Sequence, residues 1–169
     1  MLSASAPHAI AGQGNDGPTK IAVFDFELDD VSAGAGLAGD LSADASCLNA
    51  VSADVRRALV QSGRYRLVDI SGAGAEPVRG HSLRACNGCD AAIASALGAE
   101  QSLTGVVRRV SRTEYVAGFQ LRDAKSGALI AAQDTGLRMG ANYSWSRGAS
   151  RLIKDRLLNA PTKEQTPGN

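Results

Sequence analysis

Residues 101–112, 113–122 and 128–136 are three strand-like segments in direct succession, and this succession most narrows the folds open to the chain. Between the last two stands only Asp123-Ala124-Lys125-Ser126-Gly127, a turn by composition. Joints this short cannot hold a crossover helix, so the three segments form an antiparallel meander. Upstream the pattern alternates instead. Residues 20–28 (KIAVFDFEL) have Ile21, Val23, Phe24, Phe26 and Leu28 apolar, the mark of a strand buried on both faces or nearly so. Leu48, Val51, Val55 and Leu59 then recur at helical spacing. Ser42 or Asp44 is the expected N-cap, Arg56 and Arg57 lie outside, and Gly63 is the stop. Residues 64–70 (RYRLVDI) predict a second strand. A short helix is expected over 89–97, with Ile93 and Leu97 on one face and Gly98 at its end. Strand alternating with helix requires crossovers and a parallel portion. After the meander, Trp145, Ala149, Leu152, Ile153 and Leu157 mark the inner face of a last helix capped by Ser144. Arg147, Arg151, Lys154 and Arg156 cover its outside.

The predicted order is β-α-β-α-β-β-β-α, an α/β (α+β) fold with a single mixed sheet of about five strands. A chain of 169 residues suits one domain with a real core, placed here over 20–158. Residues 1–19 read as a disordered leader or signal-peptide remnant, and 159–169 as a disordered tail. Within the leader, Ala9-Ile10-Ala11 before Gly12 fits the small-x-small pattern of a signal-peptidase site, although the basic and apolar regions that precede such sites are missing.

Composition removes several function classes. A net charge of +1 argues against a nucleic-acid or anionic-membrane binder, which needs a concentrated basic patch. Aromatic residues at 4 % leave little surface for stacking bases or sugars. No apolar run approaches the roughly 18 to 20 residues of a membrane-spanning helix.

Cys86-Asn87-Gly88-Cys89 forces a choice of chemistry. A C-x-x-C pair serves as a redox dithiol, as half of a metal site, or as a short disulfide. A thioredoxin-like dithiol follows a buried strand and opens a long helix. Here a helix follows, but residues 80–85 before the pair are a loop, and no proline is placed to face it. Arg84 could stabilise a thiolate, which keeps the redox reading open with Cys86 as exposed thiol and Cys89 as its resolving partner. The metal reading would join His81 to Cys86 and Cys89, with Cys47 or Asp90 as a fourth ligand, but structural zinc shows two clear pairs and only one is present. The structural disulfide is the preferred reading, with Cys47 left as a small buried hydrophobe. Pairing of Cys47 with either of the other two remains open.

An acidic group closes the first strand: Asp25, Glu27, Asp29 and Asp30, then Asp40 and Asp44. Strand alternation puts Asp25, Glu27 and Asp29 on one face. The preferred reading is a solvated acidic edge, the alternative a cation or small-ligand site. Gly34, Gly36 and Gly39 formally match G-x-G-x-x-G but stand too far from the strand to cradle a phosphate. Residues 140–148 hold the only Trp and one of the three Tyr, in a loop that enters a helix. Asn142, Tyr143, Trp145 and Arg147 are the candidate partner-binding residues there, although Trp145 also suits an anchor between helix and sheet. The two histidines, His8 and His81, fall in predicted loops, and no Ser/His/Asp set is credible.

Three pieces carry a family resemblance: the opening strand IAVFDFEL, the junction Gly98-Ala99-Glu100 leading to Thr104-Gly105-Val106-Val107, and the hairpin FQLRDAKSGALIA. Together, over roughly residues 20–158, they resemble the amino-terminal domain of TolB and the related curli-secretion (CsgG-like) and flagellar-assembly modules. RACNGCDAAIA and LRMGANYSWSRGASRLIKDRLL resemble, more closely, the hallmarks of an uncharacterised bacterial family of small exported proteins. The resemblance implies a periplasmic module for binding and assembly, with an envelope protein or small ligand as partner, no cofactor and no catalytic residue to carry over. The function expected is therefore a non-enzymatic accessory of the cell envelope. A thiol-disulfide accessory and a cation or small-ligand binder are the alternatives.

Overall fold

The computed structural model describes residues 17–33, 41–71, 82–138 and 145–160. In chain order they form β1 (Thr19–Val23), β2 (Glu27–Asp30), α1 (Leu41–Gln61), β3 (Tyr65–Leu67), α2 (Cys89–Ala96), β4 (Gln101–Arg109), β5 (Glu114–Asp123), β6 (Leu129–Arg138) and α3 (Trp145–Ile153). The last helix runs on into a π-helical turn, Lys154–Leu158. One six-stranded sheet has the order β3-β1-β4-β5-β6, with β2 also alongside β4. β1 is parallel to β3 and to β4, and β2 is parallel to β4. β4, β5 and β6 form the antiparallel meander. The mixed sheet is the one the sequence predicts, with six strands in place of about five.

The extra strand arises because the first predicted strand is broken. Val23 pairs with Leu103 and Glu27 with Val106, so Phe24, Asp25 and Phe26 stand opposite only Thr104 and Gly105. One inserted residue is a β-bulge, and it reverses which side chains face which side. Ile21, Val23, Phe26 and Leu28 consequently join one core, while Ala22 and Phe24 join another. A bulge frees backbone groups that need partners, and α1 supplies them. The Phe26 N–H donates to Ser52 Oγ at 2.8 Å. Arg56 donates to the Val23 carbonyl at 2.6 Å and to Asp25 Oδ1 at 2.9 Å. Arg56 is therefore a bulge clamp, correcting its expected place on the outer face. The Phe26 ring lies flat against Gly105, where any Cβ would overlap it; glycine is required there by the close approach.

The larger core lies between the sheet and the pair α1 and α3. Val51, Val55 and Leu59 of α1 meet Trp145, Ala149, Leu152 and Ile153 of α3 over Leu103, Val107, Phe119 and Leu121. Five of the residues expected on the last helix's inner face, Trp145, Ala149, Leu152, Ile153 and Leu157, are buried. Arg64 donates to the Leu158 carbonyl at 2.8 Å, fastening the end of that helix to the start of β3. The smaller core lies on the opposite face, where α2 and Leu83 cover Ala22 and Phe24. Its buried helix face is Asp90, Ala91 and Ala94, and of the two residues expected on one face, Ile93 packs half-buried against this core. Gly98, at φ +79°, ends α2 as the sequence predicts.

One partly buried ionic hub fixes the far end of the sheet. Arg109 at the end of β4 bonds Asp30 of β2 at 2.9 Å and Asp44 in the first turn of α1 at 2.7 Å. It also donates to Tyr115 Oη at 3.3 Å, and the Tyr115 ring meets Trp145 with centroids 5.3 Å apart. Hydrogen bonds to Asp44 above all, then to Tyr115 and Asp30, hold the Arg109 guanidinium well above its ordinary pKa.

Candidate functional site

Among the described residues, the face that carries α2 is only half covered. β4, β5 and β6 extend beyond the helix and leave a groove of about 240 Å³. Val106, Val116, Gly118 and Ala132 make its floor, with Arg84 and Arg108 on one side and Asp134 on the other. Its depth comes from Gly118, which has no side chain between Val106 and Asp134.

The arginine side is assembled by the segment that carries the cysteines. Cys86 and Cys89 stand at disulfide spacing, with Cα atoms 5.6 Å apart. The closed turn uses two left-handed residues, Asn87 at φ +49° and Gly88 at φ +111°. Glu27 receives this loop, accepting hydrogen bonds from the Leu83 N–H at 2.6 Å and from the Ser82 hydroxyl. Arg84 then reaches Asp29 at 2.8 Å and Glu27 at 3.3 Å. Arg108 reaches the same Asp29 oxygen at 2.8 Å. Two arginines and two carboxylates thus neutralise one another. Under α2, the buried Asp90 accepts a hydrogen bond from Ser102 Oγ at 2.5 Å.

The guanidiniums of Arg108 and Arg84 hold the Asp29 carboxyl below the ordinary value of 3.8. A carboxyl with a depressed folded-state pKa contributes stability that is complete above its unfolded value and fades as pH falls through the folded value. The urea midpoint of the wild type is therefore expected to drop as pH goes below about 4. Asp29→Asn should flatten that acid limb and leave a lower midpoint at neutral pH. Equal pH profiles for the two proteins would remove Asp29 from the account.

The acidic group predicted at the first strand takes a different form. The bulge separates Asp25 from Glu27 and Asp29, correcting the shared face expected of them. Asp25 is largely exposed and pairs with Arg56, while Asp30 and Asp44 share Arg109. Each described carboxylate of the group is spent on an arginine. No three His, Cys, Asp or Glu side chains converge on a metal position among the described residues. Cys47 is exposed, which corrects its expected burial; it stands at the flank of the helix face through Asp44, Leu48 and Val51 that meets the sheet. Trp145 is 6 % exposed and packs on Tyr115, so it serves as the helix anchor and offers no binding surface. Arg147 lies on the outer face of α3. Asn142, Tyr143, Ser144, His8, His81, Asp40, the glycines at 34, 36 and 39, the Ala9–Ala11 triplet, residues 1–16 of the leader and 161–169 of the tail lie outside the described residues. The groove was not visible in the sequence beforehand; its only signal is a glycine, Gly118, inside an otherwise well-filled strand.

The cysteine turn and the α3 segment that frame this architecture fall within one family match. A family model described as a protein of unknown function, DUF3280 (DUF2380), covers residues 19–157. The chain belongs to the DUF3280 family. No curated protein matches this DUF3280 chain in sequence. Among solved structures it is similar to the LpoB C-terminal domain from Salmonella enterica, at 18% identity and a TM-score of 0.52 over 75% of this chain and 87% of that one. It is also similar to the lipoprotein GNA1162 from Neisseria meningitidis, at 19% identity and a TM-score of 0.49 over 86% and 100%. TolB from Acinetobacter baumannii gives 19% identity and a TM-score of 0.47 over 83% of this chain and 27% of TolB. At such identities the likeness is one of fold. The DUF3280 domain thus shares the α/β fold of the LpoB C-terminal domain. No helix among its described residues is long and apolar enough to cross a membrane.

Proposed function

We propose that this domain is a non-enzymatic binding and assembly accessory of the bacterial cell envelope, working in the periplasm. The observation that carries the reading is the half-covered sheet. Among the described residues, the fold buries one face under α1 and α3, yet leaves β4, β5 and β6 open on the other, beside a groove whose arginines are already neutralised. Ion pairs of this kind fix shape and offer no free acid or base, which suits recognition better than catalysis. The shared fold with the LpoB C-terminal domain supports an envelope setting. A disulfide between Cys86 and Cys89 requires an oxidising compartment.

The redox reading has one observation in its favour: both cysteines are only partly buried, at the start of a helix. Against it, Arg84 is committed to Glu27 and Asp29 and cannot serve a thiolate. Thiol trapping in the native host, combined with a photo-crosslinking residue at Gln120 in the groove, tests both. The expected result is a fully oxidised pair, with a potential below about −300 mV, and a discrete cross-linked envelope protein. Reduced thiols would overturn export. A mixed population near about −200 mV would make the protein a redox accessory.

A further inference from the structure

The two edges of the sheet differ in kind. β3 is a three-residue edge and presents almost nothing to pair with. β6 is a ten-residue edge, LIAAQDTGLR, paired among the described residues on one side only, with β5. Open edges of this length are normally blunted by lysine, proline or a bulge. β6 has no lysine and no proline, and its irregularity lies at the start, where Leu121 and Arg122 pair with Ala131 and Leu129. From Ala131 to Arg138 its register against β5 is regular, through Gly118 and Asp134 to Glu114 and Arg138.

The charge on this edge is also unusual. Asp134 is exposed on the uncovered face and forms no ion pair among the described residues. Across the groove, Arg84 and Arg108 are balanced by Glu27 and Asp29, so the unbalanced charge of the groove is the Asp134 carboxylate. At about 240 Å³ the groove is below the roughly 300–1,000 Å³ of small-molecule pockets. Its size suits one long side chain rather than a free ligand.

We infer that β6 takes an extended segment of a protein partner as an added strand, with a lysine or arginine of that segment opposite Asp134 and its aliphatic stem laid over Gly118. The inference rests on the binding-module reading and names its surface. Main-chain hydrogen bonds along the edge supply affinity, and the cross-strand charge pair sets the register. A second copy of this chain is a poor occupant. Two-fold antiparallel pairing keeps like faces together, so across 131–137 it sets Asp134 against Asp134, and across 132–138 against Gly136. Bringing Asp134 opposite Arg138 confines the overlap to residues 134–138.

The test uses the whole chain and a displayed library of random ten-residue peptides. Enriched peptides are expected to alternate apolar and polar residues around a lysine or arginine. For a synthetic copy of one such peptide, Asp134→Asn should weaken binding about two- to fivefold, the worth of an opposite-charge cross-strand pair. N-methylation of alternate peptide residues on one edge should abolish binding, whereas the same change on the other edge should leave it intact. Peptides without a basic residue, equal binding to Asp134→Asn, or equal tolerance of both methylation patterns would overturn the proposal. So would self-association of Asp134→Ala with peptide binding unchanged, which would make Asp134 a guard against pairing. Groove cross-links at Gln120 in cells are a separate readout. If they persist while the peptides fail, the binding-module reading stands and the strand-addition proposal alone is lost.

Discussion

Gly105→Ala destabilises the domain by about 1–3 kcal/mol, the range for forcing an extra group into a filled core, and the loss vanishes once Phe26 is truncated. The reason is geometric. The Cβ added at Gly105 meets the Phe26 ring, and that ring is 4 % exposed, hemmed by the bulge and the α1 core. Phe26→Ala alone removes a buried aromatic and is expected to lose about 3–5 kcal/mol. The double variant should be no less stable than Phe26→Ala, because the alanine at 105 then fills part of the space the ring left. Urea unfolding of the four proteins gives the coupling directly. Additive losses would show that the ring can swing aside, and that glycine at 105 answers some other demand.

The second large effect is expected at Arg109. Arg109→Met removes the partner of Asp30 and Asp44 and leaves both carboxylates facing one another beneath α1. Deleting one member of a fully buried ion pair costs about 3–5 kcal/mol, and the partial exposure of all three side chains here sets the loss below that range. Neutralising the orphans should restore much of it, so Arg109→Met with Asp30→Asn and Asp44→Asn is expected to be markedly more stable than Arg109→Met alone. If the added changes make matters worse, the hub acts through the Tyr115 contact rather than through charge. Salt should move the wild-type midpoint little, since partly buried pairs are weakly screened.

The helical periods and the meander were legible because each is decided within a few residues. Trp145, Ala149, Leu152, Ile153 and Leu157 recur on one stripe with arginines opposite, and no other structure satisfies that stripe. The turn at 123–127 needed only its own composition and a glycine at φ +71°. The bulge was not legible. FDFEL alternates apolar and acidic residues in any register, and the extra residue becomes visible only against Thr104 and Gly105, which lie far along the chain. Arg56 went unrecognised for the same reason. A helix pattern cannot show that a distant strand leaves the Val23 carbonyl without a partner. Cys47 borders the stripe of Leu48 and Val51, yet no period tells which flank of that stripe the sheet leaves exposed. The cysteine turn pointed to the right loop, but its cargo, Arg84 on Glu27 and Asp29, depends on tertiary contact. Likewise Asp134 was placed in a strand correctly, while the openness of its face follows from how little of the sheet α2 reaches.

The placement of β1 bears on how the protein comes into being. β1 is made first, yet one of its two neighbours is β4, whose residues begin at Gln101. A nascent chain emerging N-terminus first therefore carries its most apolar strand with a bare edge through most of its synthesis. The larger core stays open longer still, until α3 is released and Arg64 can seize the carbonyls of Leu157 and Leu158. Closure is thus a late event that brings the last helix onto α1 and the start of β3. A chain stalled or cut before those last residues would be held as an exposed sheet, a substrate for chaperones and proteases rather than a shorter working domain.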